Sequence, residues 1–413
     1  MKDEKKAPKL RFKGFTDDWE QRKLGDVCEE VSGNNGNVKG LPILTISAAN
    51  GWMNQKDRFS QVIAGNELKK YTLLEKGHLA YNHGNSKLAK YGTVFVQNLY
   101  DQALVPRVYH SFKMKTENNP YYVEYYFATK KLDRELARLV TSGARMDGLL
   151  NINKKDFFKI KFEVPTPVEQ SLISTILQKL DQIITLHEEK KRQLERLKSA
   201  LLQKMFADKS GYPAVRFKGF DDIWDQEKLN SLVRLHRGLT YSPNNVQDSG
   251  IRILRSSNIL DGQFVMTDDD IFVKSSVVNI PTVKDGDILI TAANGSIKLV
   301  GKHAIISGIS ENTAVSGGFM LVGSSRIPDF VNSLFDTSWY QRFIRKYVTG
   351  GNGSIGNLKK NDLDKQYVKV PTTSEQERIG EFFREIDQLI INNQIKHEKL
   401  LELKKFLLQN MFI

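Results

Sequence analysis

One cysteine, Cys28, stands among 413 residues. A lone thiol forms no internal disulfide framework, which fits a reducing compartment, and Cys28 reads as a small buried residue instead of a nucleophile. Long apolar runs are also missing, none reaching the ~18 residues of a membrane span. The basic start MKDEKKAPKL has no apolar stretch behind it, so it does not read as a signal peptide. A soluble, cytoplasmic protein without a membrane partner is expected.

Catalytic signatures are absent as well. There is no GxxxxGK[ST] loop, no HExxH, no paired CxxC and no GxSxG. The Asn-Pro-Pro-aromatic segment of amino-methyltransferases acting on adenine is missing too. GNGSIG (Gly351–Gly356) matches GxGxxG in letters but follows a helical pattern, so it reads as a loop. The seven histidines are scattered without metal-ligand spacing. The chain reads as a non-enzyme, with no catalytic, cofactor-binding or metal residues.

Acidic charge is in short supply, and unevenly so. Net charge is +13; residues 1–206 carry 35 Lys+Arg against 24 Asp+Glu, leaving 26 against 24 for residues 207–413. A basic balance points to a polyanion, most often nucleic acid. The near-neutral second half argues against a uniformly basic face.

What the chain has in quantity is itself, twice. Val164–Phe206 and Val370–Phe412 align at a constant offset of 206, with identical pairs from Pro165/Pro371 through Glu169/Glu375 and Asp181/Asp387 to Phe206/Phe412. A repeat of this length precedes any domain assignment. From Val168 to Phe206 the apolar residues Ile173, Leu177, Leu180, Ile184, Leu194, Leu197 and Leu201 follow the alternating 3/4 spacing of a coiled-coil seam. The second copy runs Ile379, Phe383, Ile386, Ile390, Leu400, Leu403, Leu407. About 36 helical residues make a rod of roughly 54 Å. Both copies break the seam at His187 and Lys191, and at Asn393 and His397. Polar seam residues fix register. We expect antiparallel pairing, with His187 facing His397 and Lys191 facing Asn393.

A second repeat opens each half: LRFKGFTDDWEQRKL (Leu10–Leu24) recurs as VRFKGFDDIWDQEKL (Val215–Leu229). Its aromatics Phe12, Phe15, Trp19 and Phe217, Phe220, Trp224 suggest a docking segment for a partner. Between these repeats each half has about 140 residues of mixed pattern. Pro42–Ile46, Gly92–Val96, Ile251–Leu254, Asp287–Thr291 and Gly318–Val322 read as strands. Tyr121–Val140 and Asp329–Val348 read as amphipathic helices. LLEKGHLAYNHGN lies on TVKDGDILITAANG with Gly77 over Gly286, but the rest of the two middles has diverged.

Loops in both middles mix basic, amide and aromatic groups, the types that read base edges and hold phosphates. Candidates are Arg58, Asn82, His83, Asn85, Lys87, Lys90, Arg107 and Arg145 in the first half. In the second they are Arg237, Arg255, Asn258, Asn294, Lys298 and Lys302.

The layout resembles the specificity subunit of type I restriction-modification systems, the HsdS family, over the whole chain. The resemblance is carried by the two Val-Pro…Glu-Gln-x-x-Ile…Asp-Gln…Leu-Leu-Gln-x-Met-Phe copies and the twofold RFKGF…Trp motif. It implies an α/β (α+β) fold with an internal pseudo-twofold repeat. Two target-recognition domains, 26–165 and 231–371, would each read half of a split double-stranded DNA site. Helical spacers 166–208 and 372–413 would pair as an antiparallel coiled coil and dock two methylation subunits. Residues 1–25 and 209–230 would be the docking segment and its linked repeat. S-adenosylmethionine would sit on the methylation subunit, motor-nuclease subunits would add restriction, and the setting would be a bacterial or archaeal cytoplasm. A stand-alone DNA-binding regulator and a scaffold that reads no DNA are the alternatives.

Overall fold

A computed structural model describes residues 6–33, 40–59, 65–84, 86–115, 117–141, 150–348 and 355–413. The chain forms two compact units, Met1–His187 with Lys396–Ile413, and Glu188–Ile395.

In the first unit an antiparallel sheet is built from β1 (Cys28–Glu30), β2 (Leu79–Asn82), β3 (Thr93–Val96) and β4 (His110–Met114), in the order β1-β4-β2-β3. Successive side chains of a strand point to opposite faces. On β2 this alternation sends Leu79 and Tyr81 into the main core and Ala80 into a second cluster with Leu44, Ile46 and Trp52. The main core is completed by Leu177 and Ile184 from the long helix α1 (Pro167–Met205) and by Leu407, Met411 and Phe412.

The second unit repeats this plan. Strands β5 (Arg234–Arg237), β6 (Ile288–Thr291), β7 (His303–Ile305) and β8 (Met320–Ser324) lie in the order β5-β8-β6-β7, again antiparallel. Ile288 and Ile290 face one core, Leu289 the other. The first core includes Leu202 and Met205 of α1 and Ile379, Phe383 and Ile386 of the long helix α2 (Thr373–Asn410). The faint alignment of Gly77 with Gly286 reflects one shared turn. Both have left-handed backbones, φ 91° and 90°, just ahead of the central strand.

Each globular part is closed by a two-stranded stem. Glu20–Lys23 pairs antiparallel with Lys161–Val164, and Asp225–Lys228 with Tyr367–Val370. Beside each stem a buried carboxylate takes a two-pronged hydrogen bond from an arginine. Arg11 donates to Glu169 at 2.7 and 2.8 Å, and Arg216 to Glu375 at 2.8 and 2.7 Å. Such forked pairs fix geometry as well as charge. In sequence Glu169 and Glu375 look like helix-start residues; their role as clamps was not visible there.

Several elements differ from the sequence reading. The Tyr121–Val140 pattern breaks into helices Pro120–Ala128 and Asp133–Leu139, because Lys130 takes a left-handed backbone, φ 61°. Asp329–Val348 divides into Pro328–Asp336 and Ser338–Tyr347 at Thr337, which is extended (φ −72°, ψ 162°). The strand expected over Gly318–Val322 starts at Met320, leaving Gly317–Phe319 as a loop. Among the described residues no helix is long and apolar enough to cross a membrane.

The helix seam keeps a seven-residue spacing from Ile184 through Lys191 to Lys198, and from Ile390 through His397 to Lys404. Leu197 and Leu403, each one residue short of that spacing, are 49% and 45% exposed; the inward residues are Lys198 and Leu202, and Lys404 with Leu407. In the first unit Lys404 Nζ lies 2.5 Å from Asp181. In the second, Lys198 Nζ lies 2.7 Å from Asp387, and Lys191 Nζ donates to Gln394 at 2.7 Å. Stepping seven residues forward from Lys191 to Lys198 thus moves seven back from Gln394 to Asp387. That is an antiparallel pair, with Lys191 against the residue next to Asn393. Asn393 is buried and donates to the Leu389 carbonyl at 2.7 Å. His187 and His397 are half-buried, both in the first unit.

Candidate nucleic-acid interface

The expected docking aromatics divide into two kinds. Trp19 and Trp224 are 2% and 1% exposed, so they are core anchors and not partner-facing residues. Trp19 donates its indole N–H to Glu169 at 3.2 Å, and Trp224 packs edge-on to Phe206. Phe12 and Phe217 are half-buried against their unit's core, Phe217 also against Phe382 with the Arg378 guanidinium over its ring. Phe15 and Phe220 are partly exposed.

In the first unit the fold brings Arg58 and Asn82 together. Arg58, on helix Gln55–Phe59, donates to the Ile46 carbonyl at 2.6 Å, and Asn82, at the end of β2, donates to the same oxygen at 3.2 Å. Arg107 is exposed on the turn between strand Gln102–Val105 and β4. Lys87 and Lys90 are exposed beyond β2, the Lys90 ammonium 5.4 Å from the Tyr91 ring centroid. His83 is a correction. It is 3% exposed, and its ring nitrogens lie 2.5 and 2.6 Å from the Leu150 and Val108 carbonyls, so it fills the interior instead of reading bases. Its stacked neighbour His110 is pushed down to about 4 by burial and by the His83 ring beside it, and stays neutral. Asn85 and Arg145 lie outside the described residues.

In the second unit Arg237 is exposed at the end of β5, and Lys298 on the turn Ile297–Leu299; Lys302 is half-buried. Asn258 is the other correction. Fully buried, it donates to the Val265 carbonyl and to Asp270, and accepts from the Arg255 N–H. That bonding leaves it no face toward solvent. Burial would push the Asp270 carboxyl up, but hydrogen bonds from Asn258, Thr267 and Arg252 hold it below the ordinary carboxylate range.

Arg255 and Asn294 do meet, in a cleft of about 690 Å³ lined also by Thr240, Tyr241, Asp269 and Phe319. Arg255 donates to the Asp269 carbonyl at 2.6 Å and pairs with its carboxylate at 3.2 Å, so its charge is compensated. The Asn294 amide donates to Ser256 at 3.2 Å and accepts from the Ser296 N–H at 2.9 Å. Phe319 is 65% exposed. Sequence reasoning missed Tyr241 and Phe319. The signal was Gly317-Gly318-Phe319, a large aromatic after two glycines, absorbed there into a strand.

Residues 16–196 and 221–404 match the type I restriction modification DNA specificity domain, one match on each repeat. The chain is 24% identical over 275 residues to the type I restriction enzyme EcoKI specificity subunit of Escherichia coli strain K12, covering 64% of this chain and 57% of that one. It is 22% identical over 291 residues to the MjaVIII specificity subunit of Methanocaldococcus jannaschii, covering 68% and 67%. The chain therefore spans little more than half of the E. coli relative. A crystal structure of the S subunit of a type I restriction-modification system from M. genitalium shares the fold, with a TM-score of 0.62 at 13% identity over 98% of this chain and 99% of that one. Two copies of the domain, together covering most of the sequence, show that this chain belongs to the type I restriction-modification DNA specificity family.

Proposed function

We propose that the chain is the sequence-reading subunit of a type I restriction-modification complex, each unit reading one half of a bipartite, asymmetric DNA site. The observation that carries this is one frame built twice with different surfaces. Sheet order, closing stem and Arg–Glu clamp recur, while the exposed loops share almost nothing. A module of this size contacts only a few base pairs, so a long site needs two. Antiparallel helices of roughly 54 Å can set two half-sites about one DNA turn, ~34 Å, apart. The repeated frame offers equivalent docking to two methylation subunits, which would bring S-adenosylmethionine and the adenine chemistry, with motor-nuclease subunits adding restriction. The chain itself supplies recognition and no catalytic group.

Replacing residues 231–371 with the corresponding segment of another specificity subunit tests this. Mapping methylated adenines genome-wide should show one half-site changed and the other kept. If both halves stay as they were, the chain is a scaffold. Tight specific binding by the purified chain alone would favour a stand-alone regulator.

A further inference from the structure

The cleft of the second unit is built to meet base edges more than phosphates. Its arginine is already paired with Asp269, so it offers little net positive charge to a backbone. What it presents is an apolar knob on a fixed loop. The Phe319 carbonyl accepts from the N–H groups of both Ala292 and Ala293, at 2.9 Å each. Gly317 donates to the Leu254 carbonyl at 2.8 Å, and Leu239 to the Ser316 carbonyl at 2.7 Å. Packing admits nothing larger on the facing strand, since a Cβ on Gly238 would lie 2.0 Å from the Gly317 oxygen. A backbone held this tightly places the Phe319 ring in solvent with little ordering left for binding to impose.

Across the cleft the Asn294 amide is oriented by Ser256 and Ser296. An amide has two hydrogens and two lone pairs, so a donor and an acceptor remain. That is the complement of adenine N6 and N7 in the major groove, where the paired thymine shows a C5-methyl that phenylalanine contacts.

We infer that Phe319 and Asn294 read A·T pairs in the half-site of the second unit, Phe319 against a thymine methyl and Asn294 against adenine. This rests on the specificity reading above and names residues for it. Arg255, paired with Asp269, is a wall of the cleft and not a reader.

The test uses the assembled methyltransferase complex on synthetic duplexes carrying the mapped site, with thymines in the second unit's half replaced singly by deoxyuridine. One replacement should slow methylation by the wild-type complex about fourfold, the value of one buried methyl. Phe319→Ala should be slower on thymine and indifferent to that replacement, whereas Phe319→Leu should keep the sensitivity. Asn294→Ala should relax the preference for adenine. Because Phe319 is mostly exposed, the alanine variant should fold, which circular dichroism and an unchanged melting temperature would show. Full deoxyuridine sensitivity in Phe319→Ala, or a half-site lacking A·T pairs, overturns the inference while leaving the specificity reading intact. If exchange of residues 231–371 changes neither half-site, both fall together.

Discussion

The two units solve the same packing problem with opposite treatments of buried acid. In the first, Glu124 lies inside the core helix Pro120–Ala128, where burial and the nearby Asp181 push its carboxyl up to about 7 despite a 2.6 Å hydrogen bond from the Val96 N–H. In the second, Asp336 ends the corresponding helix Pro328–Asp336. Burial would raise it, but His303 and Lys198 hold it down to about 2. One unit thus holds an acid that gains its proton near neutrality, the other an acid that stays ionised. Sheet order and stem are set by backbone pairing and tolerate either; the side-chain electrostatics are free to diverge.

The clamps should show the largest effects. Glu169 and Glu375 are fully buried, so Glu169→Ala or Glu375→Ala strands an arginine and should cost about 3–5 kcal/mol. Glu169→Ala should be the worse, since Trp19 also loses its acceptor. Urea unfolding followed by peptide-resolved hydrogen exchange would assign each loss to its unit; equal and small losses would show the clamps to be incidental.

Next comes pH. Between pH ~4.5 and ~7 folded Glu124 holds a proton that the unfolded chain has lost, so its contribution to the first unit falls by about 3 kcal/mol as pH rises, while His110, neutral down to about 4, contributes in the opposite sense below pH ~6.5. Asp336 acts the other way. Its contribution is present above pH ~3.8 and is lost as pH drops toward 2. Glu124→Gln, which keeps an acceptor for Val96, should leave His110 unopposed, so that the first unit's stability rises with pH up to ~6.5, and should leave the second's profile untouched. A changed profile in both would mean that the acids are not unit-specific.

The smallest contrast is between the two seam lysines. Lys198→Met takes the shared lysine from Asp336 and Asp387, leaving only His303 beside Asp336, and should cost about 2 kcal/mol. Lys404→Met removes a partner from a more exposed Asp181, which the Tyr125 hydroxyl still satisfies at 2.8 Å, and should cost under about 1 kcal/mol. Thermal melts of the two variants would rank them.

The doubled design was legible because repetition needs no knowledge of contacts. An offset of 206 is visible in the letters alone. So were the second unit's central strands, through apolar runs such as Ile288–Thr291, whereas the first unit's, Leu79–Asn82 and His110–Met114, were not read as strands. What escaped were features set by long-range approach. Glu169 meets Arg11 across more than 150 positions, and Lys198 takes the seam place expected of Leu197 by pairing with Asp387 on the other long helix. Among candidate readers, His83 and Asn258 carry the right chemistry but are buried, which a residue type cannot reveal. Phe319 is the reverse, an apolar residue left in solvent by its loop.

The closing stems have one more consequence. Because Glu20–Lys23 lies beside Lys161–Val164, and Asp225–Lys228 beside Tyr367–Val370, each globular part begins and ends at one place, like a bead on a clasp. Anything whose ends fit the clasp can be threaded there without disturbing the helix that follows. If each unit reads a half-site as proposed, crossing over between genes within these four-residue ladders would exchange one half of the target and keep the other.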